Sequence, residues 1–101
     1  MIKSKLYDNT LHITVYGDLD EHNAVSVRRD LDTILQLENY KQIIIDLSEL
    51  DFMDSTGIGV LIGRYKLIKD TGIPIFISNP NKQVDKIFSM TGIYNIMPKI
   101  N

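Results

Sequence analysis

At 101 residues with no internal repeat, the chain is long enough to bury one hydrophobic core and too short for two, so a single domain over residues 1–101 is expected. Its formal net charge of −2, from 11 basic and 13 acidic side chains interspersed along the chain, supplies no basic stripe for nucleic acid and no polybasic segment for an anionic membrane. With no cysteine, no signal-peptide run at Met1-Ile2-Lys3-Ser4-Lys5 and no stretch as long as a membrane span, disulfide frameworks, thiolate metal sites and spanning segments are excluded, and a cytoplasmic location is expected.

The chain opens as a hairpin. Lys5-Leu6-Tyr7 and Leu11-His12-Ile13-Thr14-Val15-Tyr16 are strand-like runs separated by the turn signal Asp8-Asn9-Thr10. In the second run Leu11, Ile13 and Val15 alternate with His12, Thr14 and Tyr16, which makes one face apolar and leaves His12 an ordinary strand residue. Gly17-Asp18-Leu19-Asp20 ends the strand. A helix follows with Ala24, Val27, Leu31, Ile34 and Leu35 at helical spacing, capped by Asp20 or Asn23. Arg28, Arg29, Asp32 and Gln36 make its solvated outer face, and His22 is a first-turn residue, too isolated to build a metal site. Ile43-Ile44-Ile45 is a continuous β-branched run, which predicts a central strand of a parallel sheet covered on both faces.

The most informative stretch comes next. Phe52-Met53-Asp54-Ser55-Thr56-Gly57 leaves an apolar strand through a short polar turn, and residues 58–68 continue as a helix. Ser55 is placed as its N-cap, where unpaired backbone N–H groups and the positive end of the macrodipole also suit a phosphate. At about 100° per residue, Ile58, Leu61, Ile62, Tyr65 and Ile68 fall on one face, assigned to the sheet. Gly59, Val60, Gly63 and Leu67 fall on the other. A solvated face would carry Lys, Glu or Gln, and each glycine in a helix interior costs about 1 kcal/mol relative to alanine. Two glycines facing outward therefore point to close approach by another backbone.

Thr71-Gly72 closes that helix and Pro74-Ile75-Phe76-Ile77-Ser78 is a strand with proline at its first residue. Asn79 is then predicted to cap a third helix with Pro80 at its first position and Val84, Ile87 and Phe88 facing inward. Gly92 ends it, and Tyr94-Asn95-Ile96-Met97 is predicted as a last edge strand. The order β-β-α-β-α-β-α-β gives an α/β fold, a mostly parallel sheet of four to five strands with helices packed on it. Loops after the strands' carboxyl ends gather at one edge of such a sheet. Asp18 and Asp20 are thereby expected on the same rim as Asp54 and Ser55.

Enzyme chemistry finds little support. Met53 stands where a nucleophile elbow needs its first glycine, and no histidine follows Ser55. Gly57, Gly59 and Gly63 match no dinucleotide register, and no Gly-Lys-Ser/Thr occurs. Asp18-Leu19-Asp20 after an apolar strand is the one motif suited to Mg²⁺, which supports an alternative reading as a small Mg²⁺-dependent phosphatase. A third, structural alternative has the glycine face mediating a homodimer.

The stretch from Phe52 to Lys66 resembles the signature of bacterial anti-sigma factor antagonists of the STAS fold, and most closely the sporulation type that opposes the anti-sigma F factor. Gly17-Asp18-Leu19-Asp20 with Glu21-His22, Ile43-Ile44-Ile45-Asp46-Leu47 and Ile87-Phe88-Ser89-Met90-Thr91-Gly92-Ile93 add to the resemblance, in the family's order and over nearly the whole chain. Stress-response antagonists are close relatives, so an antagonist in a general stress-response switch is the alternative within the family. The resemblance implies a regulator without catalysis or cofactor of its own. Its partners would be an anti-sigma factor that is also a serine kinase using ATP, and a serine phosphatase. The unphosphorylated form would bind the kinase and free the sigma factor, with Ser55 as the phosphorylated residue. Asp20 and Asp54 would lie at the contact surface with Thr56, Gly57, Gly59, Val60, Gly63, Arg64 and Leu67, the free protein being a monomer. Thr56 matches a position that is serine or threonine in the family and is not assigned as the acceptor. Relatives carry a further amphipathic helix after the last strand, which has no counterpart before Asn101.

Overall fold

The computed structural model describes residues 1–101. In chain order its elements are β1 (Ile2–Tyr7), β2 (Thr10–Val15), β3 (Gly17–Leu19), α1 (Ala24–Leu37), β4 (Gln42–Asp46), β5 (Leu50–Met53), α2 (Ser55–Ile68), β6 (Ile75–Ser78) and α3 (Lys82–Thr91). The opening hairpin turns at Asp8 and Asn9, whose φ angles of 52° and 64° are both positive. Two such residues match the right-handed twist of the flanking strands, and aspartate and asparagine tolerate that conformation best after glycine.

β1 runs antiparallel to β2, while β2, β4 and β6 are mutually parallel, giving a four-stranded sheet in the order β1-β2-β4-β6. Its register aligns Leu11, Ile43 and Ile75, and then Ile13, Ile45 and Ile77, on one face, none more than 3% exposed. His12, Ile44 and Phe76 align on the opposite face and are only half-buried. The expectation that the Ile43-Ile44-Ile45 strand is covered on both faces is thus corrected. Each crossover advances the same way across the sheet, and right-handed connections then place α1 and α2 on one side. Val84 and Phe88 of α3 join the same core as Val27 and Leu31 of α1 and Leu61 of α2.

β3 and β5 form a separate two-stranded parallel ribbon, so Gly17 to Leu19, expected only to end the preceding strand, pair with the strand that leads into α2. Strands of three and four residues are too short to show a period, yet this ribbon carries the site.

Two further corrections concern the end of the chain. The N-cap of α3 is Asn81, whose side chain accepts the Val84 N–H at 2.9 Å and donates to the Leu50 carbonyl at 3.1 Å. Asn79 instead turns left-handed at φ 55°, and Pro80 lies in the turn before the helix. Nor do Tyr94 to Met97 form the last strand. Gly92, at φ 79°, redirects the chain into a 3₁₀ turn over Ile93–Asn95, which buries Ile93 and Met97. The following residues line the edge of β6 instead: Ile77 N–H donates to Pro98 O, Ile100 N–H to Ile77 O and Asn79 N–H to Asn101 O, at 2.8–2.9 Å. Asp85 ties this segment to α3, accepting from Tyr94 Oη at 2.6 Å and Lys99 Nζ at 2.9 Å. Those two bonds hold its carboxyl below the usual range, while burial, aided by Asp85, pushes the Tyr94 phenol up.

Candidate functional site

The site begins with Asp54, the residue between β5 and α2. Its extended backbone (φ −107°, ψ −174°) places the carboxylate over the first turn of α2, where Oδ1 accepts the Gly57 N–H at 3.1 Å. Asp54 is therefore the N-cap, and the expectation that Ser55 fills this role is corrected. Ser55 is the first residue of the helix proper and is exposed. The other carboxylate oxygen, Oδ2, accepts the Glu21 N–H at 3.1 Å, so one side chain joins the loop after β3 to the start of α2. Asp54→Ala leaves both amides unpaired and is expected to lower stability by about 1–2 kcal/mol, the range for lost caps, read as a drop in the thermal midpoint.

Asp20 is spent on a local turn, its Oδ1 accepting the Asn23 N–H at 3.0 Å, while Asn23 Nδ2 donates to the Asp18 carbonyl at 2.9 Å. Asn23 occupies the cap position of α1 but makes no side-chain cap bond. Asp20, Glu21, His22, Phe52 and Asp54 line a shallow acidic cleft of about 580 Å³ beside Ser55, and Asp18 is not among its walls. No group of three His, Cys, Asp or Glu side chains stands close enough to hold a metal ion, so the Mg²⁺-phosphatase alternative gains no support from the geometry.

Along α2 the seven residues assigned to a contact surface go to different places. Gly57 is buried where α2 meets β3, which makes it a packing residue. Val60, expected outward, is 7% exposed and belongs to the core, although its edge reaches a groove. Gly59 and Gly63 face open space, since a Cβ built on either would meet nothing within 4 Å. Arg64, expected at the contact surface, and Asp32, expected on the solvated face of α1, meet between α1 and α2: Arg64 Nε lies 2.9 Å from Asp32 Oδ1, with the side chains 11% and 35% exposed. The helices lie side by side on one face of the sheet, so part of each outer surface faces its neighbour.

Between them runs a groove of about 630 Å³, walled by Thr56, Gly59, Val60, Gly63 and Arg64 of α2 and by Glu21, Ala24, Val25 and Arg28 from the loop before α1 and from α1 itself. Leu67 lines a separate groove of about 410 Å³ with Leu35, Tyr40 and the Asp32 side chain. The α1 wall was missed in the sequence. Its signal was Val25, an aliphatic residue outside the Ala24, Val27, Leu31 stripe that is 62% exposed. Phe52, 43% exposed in the acidic cleft, is a comparable signal. No helix is long and apolar enough to cross a membrane.

Comparison with known proteins adds the following. The STAS domain family matches residues 1–101. The chain is 35% identical over 97 residues to an anti-sigma F factor antagonist of Paenibacillus polymyxa, covering 96% of this chain and 83% of that protein. It is 28% identical over 93 residues to an anti-sigma-B factor antagonist of Bacillus subtilis (strain 168), covering 92% and 84%. Among solved structures, the anti-sigma factor antagonist SpoIIAA in its unphosphorylated form is similar, with a TM-score of 0.81 at 25% identity over 100% of this chain and 89% of that one.

Proposed function

The chain belongs to the STAS-domain family of anti-sigma factor antagonists, and on that premise we propose that it binds an anti-sigma factor with serine kinase activity and that phosphorylation of Ser55 switches this binding off. The observation that carries the reading is the placing of Ser55. It is exposed at the first position of α2, its neighbour Asp54 already caps the helix, and its hydroxyl is free to be presented to a kinase. In the proposed reaction Ser55 Oγ attacks the γ-phosphorus of ATP held by the partner, the hydroxyl proton is lost and ADP leaves. A serine phosphatase hydrolyses the ester and restores the binding form. The protein itself is a substrate in both steps and supplies no catalytic group.

The Paenibacillus relative favours a sporulation switch, and the Bacillus relative keeps a stress-response switch as the second reading. The kinase that works separates them. Incubating the protein with ATP and each candidate anti-sigma kinase of the host, followed by phosphosite mapping, is expected to find one phosphate on Ser55 and none on Ser55→Ala. Absence of phosphate with every such kinase, or phosphate on Thr56 instead, would overturn the assignment.

A further inference from the structure

We propose that the groove between α1 and α2 receives a segment of the anti-sigma partner carrying an aliphatic side chain and a carboxylate, with Val25 and Arg28 of α1 recognising them. The inference rests on the partner docking beside Ser55, and it assigns half of the contact surface to a helix outside the signature stretch. Gly59 and Gly63 bring no side chain into the groove and have open space where a Cβ would stand, so the domain's own packing does not account for them. That leaves room for a chain from outside. Val25 is 62% exposed at the opposite wall, an apolar surface for an aliphatic contact.

The charge of the occupant follows from the groove's two arginines. Arg64 is held by Asp32 and is 11% exposed, so its charge is answered within the molecule. Arg28 stands one turn before Asp32 on the same side of α1, is exposed, and takes no part in the three ion pairs, Lys3 with Glu49, Arg64 with Asp32 and Lys99 with Asp85. The groove's carboxylate, Glu21, lies at the Asp54 end, where it also lines the acidic cleft. A segment lying along α2 from Thr56 toward Arg64 thus meets negative charge first and an unanswered cation later. The groove is continuous with the Ser55 end through Thr56, which places a bound segment and the phosphorylation site on one surface.

Association of the full chain with the purified anti-sigma factor, followed in real time at low and high salt, tests this. An exposed charge at an interface acts mainly on encounter, so Arg28→Glu is expected to slow association ~10-fold at low salt and to weaken the salt dependence. Val25→Asp is expected to speed dissociation ~10-fold, because it removes buried apolar contact. Arg28→Ala serves as the milder variant, and unchanged thermal midpoints show that all three fold. A Lys in place of one partner carboxylate is expected to restore binding to Arg28→Glu but not to Val25→Asp. If wild type binds and is phosphorylated at Ser55 while these variants bind as it does, the groove assignment fails and the switch stands. If wild type binds no anti-sigma factor, both fail. A self-association that Arg28→Glu abolishes would assign the groove to a second copy and overturn the proposal.

Discussion

Phosphorylated on Ser55, the protein is expected to bind its anti-sigma partner at least ~100-fold more weakly than in its unmodified form, with no change of fold. The phosphate adds about −1.5 to −2 charges at pH 7. It stands at the N-terminus of α2, where the helix dipole favours an anion by typically ~0.3–1 kcal/mol, so the domain tolerates it. Because Asp54 already satisfies the Gly57 and Glu21 amides, the phosphate needs no rearrangement to be accommodated. The penalty falls on the interface instead. Asp20, Glu21 and Asp54 line the adjoining cleft, and a dianion beside them makes that end strongly negative and bulkier. Like charges juxtaposed across an interface cost several kcal/mol, and each ~1.4 kcal/mol is a factor of ten in affinity. Titration calorimetry on the two forms measures the ratio, and amide spectra with shifts confined to the start of α2 would accompany it. Equal affinities would sink the switch. Ser55→Ala is expected to bind as the unmodified protein does, since it removes the acceptor and adds no charge.

Gly57→Ala is expected to cost about 3 kcal/mol and to lower the thermal midpoint by roughly 12–24 °C. A Cβ at this position stands 2.3 Å from the Leu19 carbonyl oxygen, 2.8 Å from Leu19 Cγ and 2.9 Å from Met53 Cγ. The Leu19 and Met53 side chains can move a little. The Leu19 carbonyl is backbone of the β3–β5 ribbon and accepts the Asp54 N–H at 3.4 Å, so relief requires α2 to lift from the ribbon. Gly59→Ala and Gly63→Ala make the matched control. Both have empty space at the Cβ, and alanine favours helix by up to ~1 kcal/mol, so each is expected to hold or raise the midpoint. A Gly57→Ala midpoint within a few degrees of wild type would show that the approach of α2 to β3 relaxes readily.

The contrast among these glycines shows where reading by pattern stops. Helical spacing placed Gly59 and Gly63 on the open side of α2 and Ile58, Leu61 and Ile68 toward the sheet, because an amphipathic helix on one face of a sheet repeats its burial every three to four residues. Gly57 followed the same sequence logic as a member of the turn. Its crowding comes from Leu19, 38 positions away, and no local pattern reports that. Val60 and Arg64 misled for a related reason. Both were assigned to a surface open to a partner, whereas α1 lies alongside α2: Val60 is buried and Arg64 pairs with Asp32 of α1.

By itself the sequence determined the hairpin, the three helices and the parallel core strands, since alternation along Leu11, Ile13 and Val15, the β-branched run at Ile43 and helical spacing in the 24–37 and 55–68 segments are local consequences of backbone geometry. It also brought together the motif stretches that identify the family. Tertiary structure alone decided that Asp54 and not Ser55 caps α2, that Asn81 and not Asn79 caps α3, and that residues beyond Met97 line the edge of β6. It likewise decided that α1 supplies the second wall of the groove. Each of these depends on which of several chemically competent neighbours reaches a given amide or surface first. The cap bonds of Asp54 and Asn81 are themselves local, but each cap side chain is also held by a residue far away in the chain. Asp54 is held by the Glu21 N–H and Asn81 by the Leu50 carbonyl, and spacing along the sequence does not report such contacts.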